Sequence, residues 1–203
     1  AVPLVAGTTV TTVSAQGQVK RTDADEFLSA RQRAIQAAGT KSGDRIAAVT
    51  LSRDDDHLVL AHDAGLVTRF PADEARPMGR TAAGVAGMKV PKGAAIVSAT
   101  VVPGGDDADV EVVTVGADGE AKRTPASEYA AKGRGGKGVQ AGPDRLAFCG
   151  VAADLHLPTD PPSVVRIVEL PEAKRTGRGA NLDGAVGGPG VAEVDTADWT
   201  ATG

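Results

Sequence analysis

Leu58-Val59-Leu60-Ala61-His62-Asp63-Ala64-Gly65-Leu66-Val67-Thr68-Arg69-Phe70 is two short apolar or β-branched runs joined by a turn that closes on glycine. That pattern predicts a β-hairpin. The same grammar stands earlier, where residues 8–13 and Val19-Lys20-Arg21-Thr22 flank Ala15-Gln16-Gly17-Gln18. It returns where residues 110–115 and Glu120-Ala121-Lys122-Arg123-Thr124 flank Gly116-Ala117-Asp118-Gly119. The turn glycines lie 48 and then 54 residues apart, a spacing typical of propeller-like blades.

Counted from each glycine, the register holds. Four residues on stands an arginine (Arg21, Arg69, Arg123), and nine on a glutamate (Glu26, Glu74, Glu128). Gly79-Arg80 and Gly133-Arg134 fall fourteen and fifteen residues on, and Gly84-Val85 and Gly138-Val139 nineteen and twenty on. The first repeat has Arg31-Gln32 and Gln36-Ala37 at those places. A repeat of about four short strands with one apolar face buries a core only by stacking on its neighbours. The expectation is an all-β, propeller-like chain of about four blade repeats forming a partial ring; a β-sandwich, the other all-β choice, does not explain the matching offsets.

The expected divisions are 1–40, 41–90 and 91–141, then a degenerate terminal repeat over 142–183. In that last unit Arg145-Leu146-Ala147-Phe148 echoes Arg45-Ile46-Ala47-Ala48, but the turn glycine is missing and Pro158, Pro161 and Pro162 interrupt it. Residues 184–203, with Pro189, Glu193, Asp195 and Asp198, read as a flexible acidic tail carrying the only tryptophan, Trp199. Residues 23–38 are the only helical candidate, and the register makes their start strand and loop.

The 203 residues carry a net charge of −4, with aromatics at 2% and one cysteine. Few aromatics disfavour a stacking platform for unpaired bases. A lone Cys149, in an apolar run, fits an inert core thiol and a reducing, cytoplasmic setting. No apolar run reaches the roughly 18 residues of a membrane span, so no membrane partner is expected. A start at Ala1-Val2-Pro3-Leu4, without methionine, reads as a cut from a longer chain.

The charge is unevenly spread: residues 1–50 hold six Lys/Arg against four Asp/Glu, and residues 151–203 four against eight. Acidic clusters, Asp54-Asp55-Asp56 among them, precede the turn glycines and read as solvated hairpin tips, while basic residues follow the glycines. Stacked blades would put the two signs on different rims, so that an acidic molecule keeps a basic rim for duplex phosphate. Lys132-Gly133-Arg134-Gly135-Gly136-Lys137-Gly138-Val139 is the densest basic stretch, with glycines that let backbone approach a phosphate. The candidate DNA-binding set is Lys20, Arg21, Arg69, Arg80, Lys122, Arg123, Lys132, Arg134, Gly135, Gly136, Lys137 and Gly138. His57, His62 and His156 lack metal-ligand spacing. A protein-interaction propeller without a nucleic-acid role is the competing class.

Arg76-Pro77-Met78-Gly79-Arg80-Thr81-Ala82-Ala83-Gly84-Val85-Ala86-Gly87-Met88, Lys122-Arg123-Thr124-Pro125-Ala126-Ser127-Glu128-Tyr129 and the 133–139 loop resemble the C-terminal domain of the A subunit of bacterial type IIA topoisomerases, DNA gyrase and topoisomerase IV. The resemblance covers about residues 2–139 and reaches 168 more weakly. It implies a β-pinwheel whose basic rim bends or wraps duplex DNA. Arg134-Gly135-Gly136-Lys137-Gly138 match the family's gyrase box, Gln-Arg/Lys-Arg-Gly-Gly-Lys-Gly, with Lys132-Gly133 in place of its first two residues. That departure and the degenerate last repeat favour a topoisomerase IV A subunit of a high-GC bacterium, with gyrase as the alternative. The resemblance further implies a parent enzyme that uses ATP and Mg²⁺ and works with an ATPase (B-type) subunit on the nucleoid. The present chain carries neither the catalytic tyrosine context nor a cofactor site, and Tyr129 reads as a packing residue.

Overall fold

The computed structural model describes residues 4–28, 35–105, 109–152, 154–157, 163–182 and 191–193. Its strands are β1 (Thr9–Ser14), β2 (Gln18–Asp23), β3 (Ile46–Ser52), β4 (His57–His62) and β5 (Leu66–Pro71). There follow β6 (Val85–Ala86), β7 (Ile96–Val102), β8 (Glu111–Gly116), β9 (Glu120–Pro125) and β10 (Val139–Gln140). The last are β11 (Leu146–Gly150), β12 (Asp154–Leu157), β13 (Ser163–Arg166), β14 (Ala180–Asn181) and β15 (Val191–Glu193). One helical turn, α1 (Asp25–Leu28), follows β2, where the register placed the end of a strand and a loop.

The strands make four antiparallel sheets, ordered β3-β1-β2-β6, β10-β5-β4-β7, β11-β8-β9-β14 and β13-β12-β15. The centre of each of the first three is a hairpin. In the first three the turn glycines Gly17, Gly65 and Gly119 have φ of 78°, 83° and 91°. Each donates its N–H three residues back, to Ser14, His62 and Gly116. A residue with a Cβ is strained at such φ, so the repeat's most regular feature in sequence is its tightest turn in space.

Each of the first three sheets draws strands from two of the segments 1–40, 41–90, 91–141 and 142–183. The strand after each hairpin (β3, β7, β11) completes one side, and these three strands lie against one another. The opposite, outer edge is completed by a two-residue strand that arrives only after the next hairpin: β6 pairs with β2, β10 with β5, β14 with β9. Backbone bonds repeat the arrangement residue for residue. The carbonyls of Arg21, Arg69 and Arg123 accept from the N–H groups of Met78, Lys132 and Ala173 at 2.8, 2.9 and 3.0 Å. This is a pinwheel in which blades exchange strands. The fourth sheet lacks an outer-edge partner for β13 among the described residues; within the segment read as a tail, β15 pairs with β12.

Because every hairpin strand alternates its side chains across the sheet, both faces of a middle blade are buried. Leu58 and Leu60 of β4 pack toward the first blade with Val13, Val19 and Met88. Val59 and Ala61 of the same strand pack the other way, with Val112, Tyr129, Leu146 and Cys149. The cores thus lie between blades. Tyr129 is buried with its hydroxyl 3.3 Å from Thr114 Oγ1, and burial holds its phenol above the ordinary value. Cys149 is fully buried in the same core, and burial pushes its thiol up to about 11.

Two sequence expectations change. Asp56 is buried, not a solvated tip: its carboxylate accepts from the N–H groups of Arg53 and Gly104 at 2.6 and 2.9 Å. Asp54 is exposed but spends its charge on Arg21, 2.7 Å away. His156 belongs to β12, and Trp199 lies outside the described residues.

His62 is buried at the β4 turn; its Nδ1 accepts the Ala64 N–H at 3.2 Å and its Nε2 has no partner among the described residues. Burial lowers its pKa below the ordinary 6.5, against the smaller opposing influence of Asp63. The neutral form is therefore the folded one, and its stabilisation is complete above about pH 6.5. As pH falls below that value the unfolded chain takes up the proton first, and stability drops by up to about 1.4 kcal/mol per pH unit until the folded pKa is reached. Urea midpoints at pH 7.5 and 5.0 should fall further apart in the parent than in His62→Gln; equal shifts would assign the acid loss to other groups.

Candidate nucleic-acid interface

The cations that follow the turn glycines do not form a rim. Arg21 is fully buried and spends its guanidinium on Thr9 Oγ1 (3.0 Å), Ser52 Oγ (3.2 Å), Asp54 and the Ala72 carbonyl (3.0 Å). Arg69, also buried, bonds His57 Nδ1, the Gly105 carbonyl and the Ala126 carbonyl at 3.1 Å. Arg123 is about a quarter exposed; it bonds Glu111 at 2.6 Å and the Leu170 carbonyl at 3.0 Å. Ala72 and Ala126 open the 3-10 turns of the following blades, and Leu170 closes the last such turn. Each arginine therefore fastens its blade to the next. A planar fork with several donors suits this work, because it satisfies scattered acceptors at once.

The lysines beside them are occupied too. Lys20 Nζ donates to the carbonyls of Ala37 and Arg80, both at 2.6 Å. Lys122 Nζ donates to those of Lys174, Arg175 and Gly177 at 3.1, 2.5 and 2.7 Å. Burial lowers the pKa of both lysines, opposed by Glu26 at Lys20 and by Glu120 at Lys122. Lys20, Arg21, Arg69 and Lys122, expected from the sequence as phosphate contacts, are buried and serve as internal ties in the structure. Arg123 joins them through its partners. Arg80 is half-buried, with Nε 3.7 Å from Glu26.

The glycine-rich loop is different. It leaves β5's edge at Lys132, crosses to the first blade and returns as β10. Gly135 N–H donates to the Gly87 carbonyl at 2.6 Å, and the Gly136 carbonyl accepts from Lys89 N–H at 2.8 Å. Gly138 has φ of +87°, and a Cβ there would lie 2.6 Å from the Val67 carbonyl oxygen. The loop is therefore clamped across the outer edges of two blades. Arg134 takes part in the clamp: its N–H and Nε bond the carboxylate and carbonyl of Glu74, and Nη1 bonds the Ala86 carbonyl at 3.0 Å. Lys132 and Lys137 are exposed, and neither side chain has a partner among the described residues. A cavity of about 150 Å³ beneath the loop is bounded by Thr68, Lys132, Gly133, Gly136, Lys137 and Gly138 among others. Thr68 stands where the flanking blades have Lys20 and Lys122.

A second basic loop escaped the sequence reading. Lys174-Arg175-Thr176-Gly177-Arg178-Gly179 runs from the Arg123 carbonyl to β14, as 133–138 runs from the Arg69 carbonyl to β10. The signal was present. A glutamate precedes the loop glycine by ten residues in Glu74/Gly84, Glu128/Gly138 and Glu169/Gly179, although the fourth hairpin has no turn glycine to count from.

Repeated hairpins, cores between blades, outer strands lent by the next repeat and basic outer loops define a strand-exchanging β-pinwheel. The chain belongs to the DNA gyrase C-terminal domain family of beta-propellers, whose model matches residues 9–53, 56–103 and 111–146. Among curated relatives, the DNA gyrase A protein of Deinococcus deserti is 41% identical over 126 residues, 61% of this chain and 15% of that protein. That of Helicobacter pylori is 32% identical over 192 residues, 90% of this chain and 22% of that protein. The chain therefore spans about a fifth or less of the length of these relatives. In structure it is similar to the C-terminal domain of DNA topoisomerase IV, with a TM-score of 0.77, 23% identity, and coverage of 89% of this chain and 58% of that one. It is also similar to the DNA gyrase A C-terminal domain, with a TM-score of 0.74 and 16% identity, covering 93% of this chain and 64% of that one.

Proposed function

We propose that the chain is the duplex-DNA-binding C-terminal domain of a type IIA topoisomerase A subunit, which contacts phosphates without sequence preference and presents DNA to a cleavage core elsewhere in the protein. One observation carries this: two exposed lysines, Lys132 and Lys137, neither side chain with a partner among the described residues, stand on a glycine loop fixed across two blade edges. Fixed cations with free head groups neutralise phosphate without first breaking internal pairs, and release counterions when they do. Net charge does not oppose this, since no acid lies within the 132–139 loop and eight of the 26 Asp/Glu lie in residues 151–203. Identity to gyrase A proteins supports a gyrase-type parent over the topoisomerase IV parent favoured by the sequence departures. In that setting the domain works on the nucleoid beside a B-type subunit, which supplies ATP hydrolysis with Mg²⁺.

The test is a gel shift of the full 203-residue chain on two unrelated duplexes at 50 and 200 mM salt. Binding should weaken steeply with salt and equally on both. Lys132→Ala/Lys137→Ala should lower the slope of log K against log salt by roughly 1.8, from about 0.9 per contact. A parent chain that does not bind duplex, or binds without salt dependence, would leave the protein-interaction reading in place of this one.

A further inference from the structure

We infer that the loop 174–179 is a second phosphate-contact site, one blade beyond the first, and that Lys122 is the positioning residue that shapes it. The inference rests on the DNA-binding reading above and extends it to residues at the far end of the described chain.

The geometry of the two loops matches at each anchor. Arg175 N–H donates to the Glu128 carboxylate as Arg134 N–H does to that of Glu74, and Glu128 and Glu74 hold the same register. Arg175 Nη1 bonds the carbonyl of Gln140 in β10, and Arg134 Nη1 that of Ala86 in β6, the preceding outer strand in each case. Both strands that follow, β10 and β14, pair on the outer edge of a blade. With the loops so aligned, Arg178 falls at the place of Lys137, and Lys174 one residue after the place of Lys132. Lys174 and Arg178 are exposed, and neither side chain has a partner among the described residues.

What differs is the means of fixing the loop. The first is rich in glycine and is clamped by the 86–89 segment. The second has only Gly177 and Gly179, and is instead wrapped around the Lys122 ammonium, which draws three of its carbonyls inward within 3.1 Å. Turning those carbonyls in leaves the side chains of Lys174 and Arg178 outward. Three carbonyls around one buried ammonium is an arrangement that only a donor with three hydrogens and no acceptor satisfies. Phosphate of a duplex backbone is the ligand such a pair of cations takes, and two successive outer edges give the duplex a continuous path.

The test compares the full chain with Lys174→Ala/Arg178→Ala, Lys132→Ala/Lys137→Ala and Lys122→Met on a non-specific duplex across a salt series. Lys174→Ala/Arg178→Ala should lower the salt slope by roughly 1.8, matching the first loop. Lys122→Met should lower it by a similar amount, and should lower it no further when added to Lys174→Ala/Arg178→Ala. Additive losses would mean that Lys122 acts on general stability and would overturn its positioning role. Should Lys122→Met fail to fold, amide exchange in the parent decides: slow exchange across 174–179 supports the cage, and exchange at the rate of an open loop overturns it. If the first-loop variant weakens binding and Lys174→Ala/Arg178→Ala does not, the second site is refuted while the proposed function stands. A parent that binds no duplex refutes both.

Discussion

Arg21→Met should lower the unfolding free energy by about 1.5–3 kcal/mol, the range for losing buried hydrogen bonds made by a charged group. The change removes the guanidinium that ties Thr9, Ser52, Asp54 and the Ala72 carbonyl together. Thr9 and Ser52 keep the bond between their hydroxyls and the Ala72 carbonyl keeps the Ala75 N–H, so the loss is that of the guanidinium's own bonds and packing. The contact to Ala72 also joins the first blade to the second, so the loss spreads beyond one sheet. Asp54→Asn is the contrast. The Asp54 side chain is 76% exposed, and exposed pairs are worth about 0–1 kcal/mol, so this variant should stay close to the parent. Urea unfolding followed by circular dichroism measures both. An Arg21→Met midpoint near that of Asp54→Asn would show that the guanidinium fastens nothing. At temperatures where Arg21→Met is folded, its DNA salt slope should equal the parent's, because a fully buried arginine neutralises no phosphate and releases no counterion.

Gly138→Ala should detach the basic loop from its seat. The left-handed backbone alone costs a residue with a Cβ about 1–3 kcal/mol where the surroundings enforce it. Here the new Cβ also meets the Val67 carbonyl oxygen at 2.6 Å and Met88 Cε at 2.7 Å, and the first of these is backbone that cannot swing away. The two residues of β10 follow at once, so the outer edge of the second blade opens. Amide exchange should accelerate at Lys89 and Gly135, whose N–H groups bond across that seam, and duplex affinity should fall with them. Unchanged exchange at both amides would mean that the strand tolerates the methyl group and that the seam is not held by this glycine.

The fold was legible because its repeat is written in residues that the backbone itself constrains. Gly17, Gly65 and Gly119 must adopt positive φ, and the offsets counted from them carried the strands into equivalent places. The loop at 132–138 was legible for the same reason. Misread were the cations after the turns. In sequence, Lys20-Arg21 and Lys122-Arg123 look like any exposed basic pair, since charge is normally solvated. The burial of Lys20 and Lys122 follows from strand exchange, which brings loop carbonyls of the next repeat over each ammonium. Strand exchange has no local signature: the two residues of β6 or β10 are too short to reveal a pairing partner some seventy residues away. The 174–179 loop was missed because the anchoring glycine is absent from the fourth hairpin, while the glutamate ten residues before Gly179 went uncounted.

The lending of outer strands by later repeats also sets a clock on the ribosome. Gln18 pairs with Ala86, which is made 68 residues afterwards. At synthesis rates of about 5–20 residues per second, the first hairpin emerges and then waits roughly 3–14 s for the strand that closes it. Over that interval the free side of β2 presents unpaired N–H and C=O groups, and an open strand edge of this kind accepts any chain with the right pattern. The nearest such chains are copies of the same hairpin growing on neighbouring ribosomes of one message.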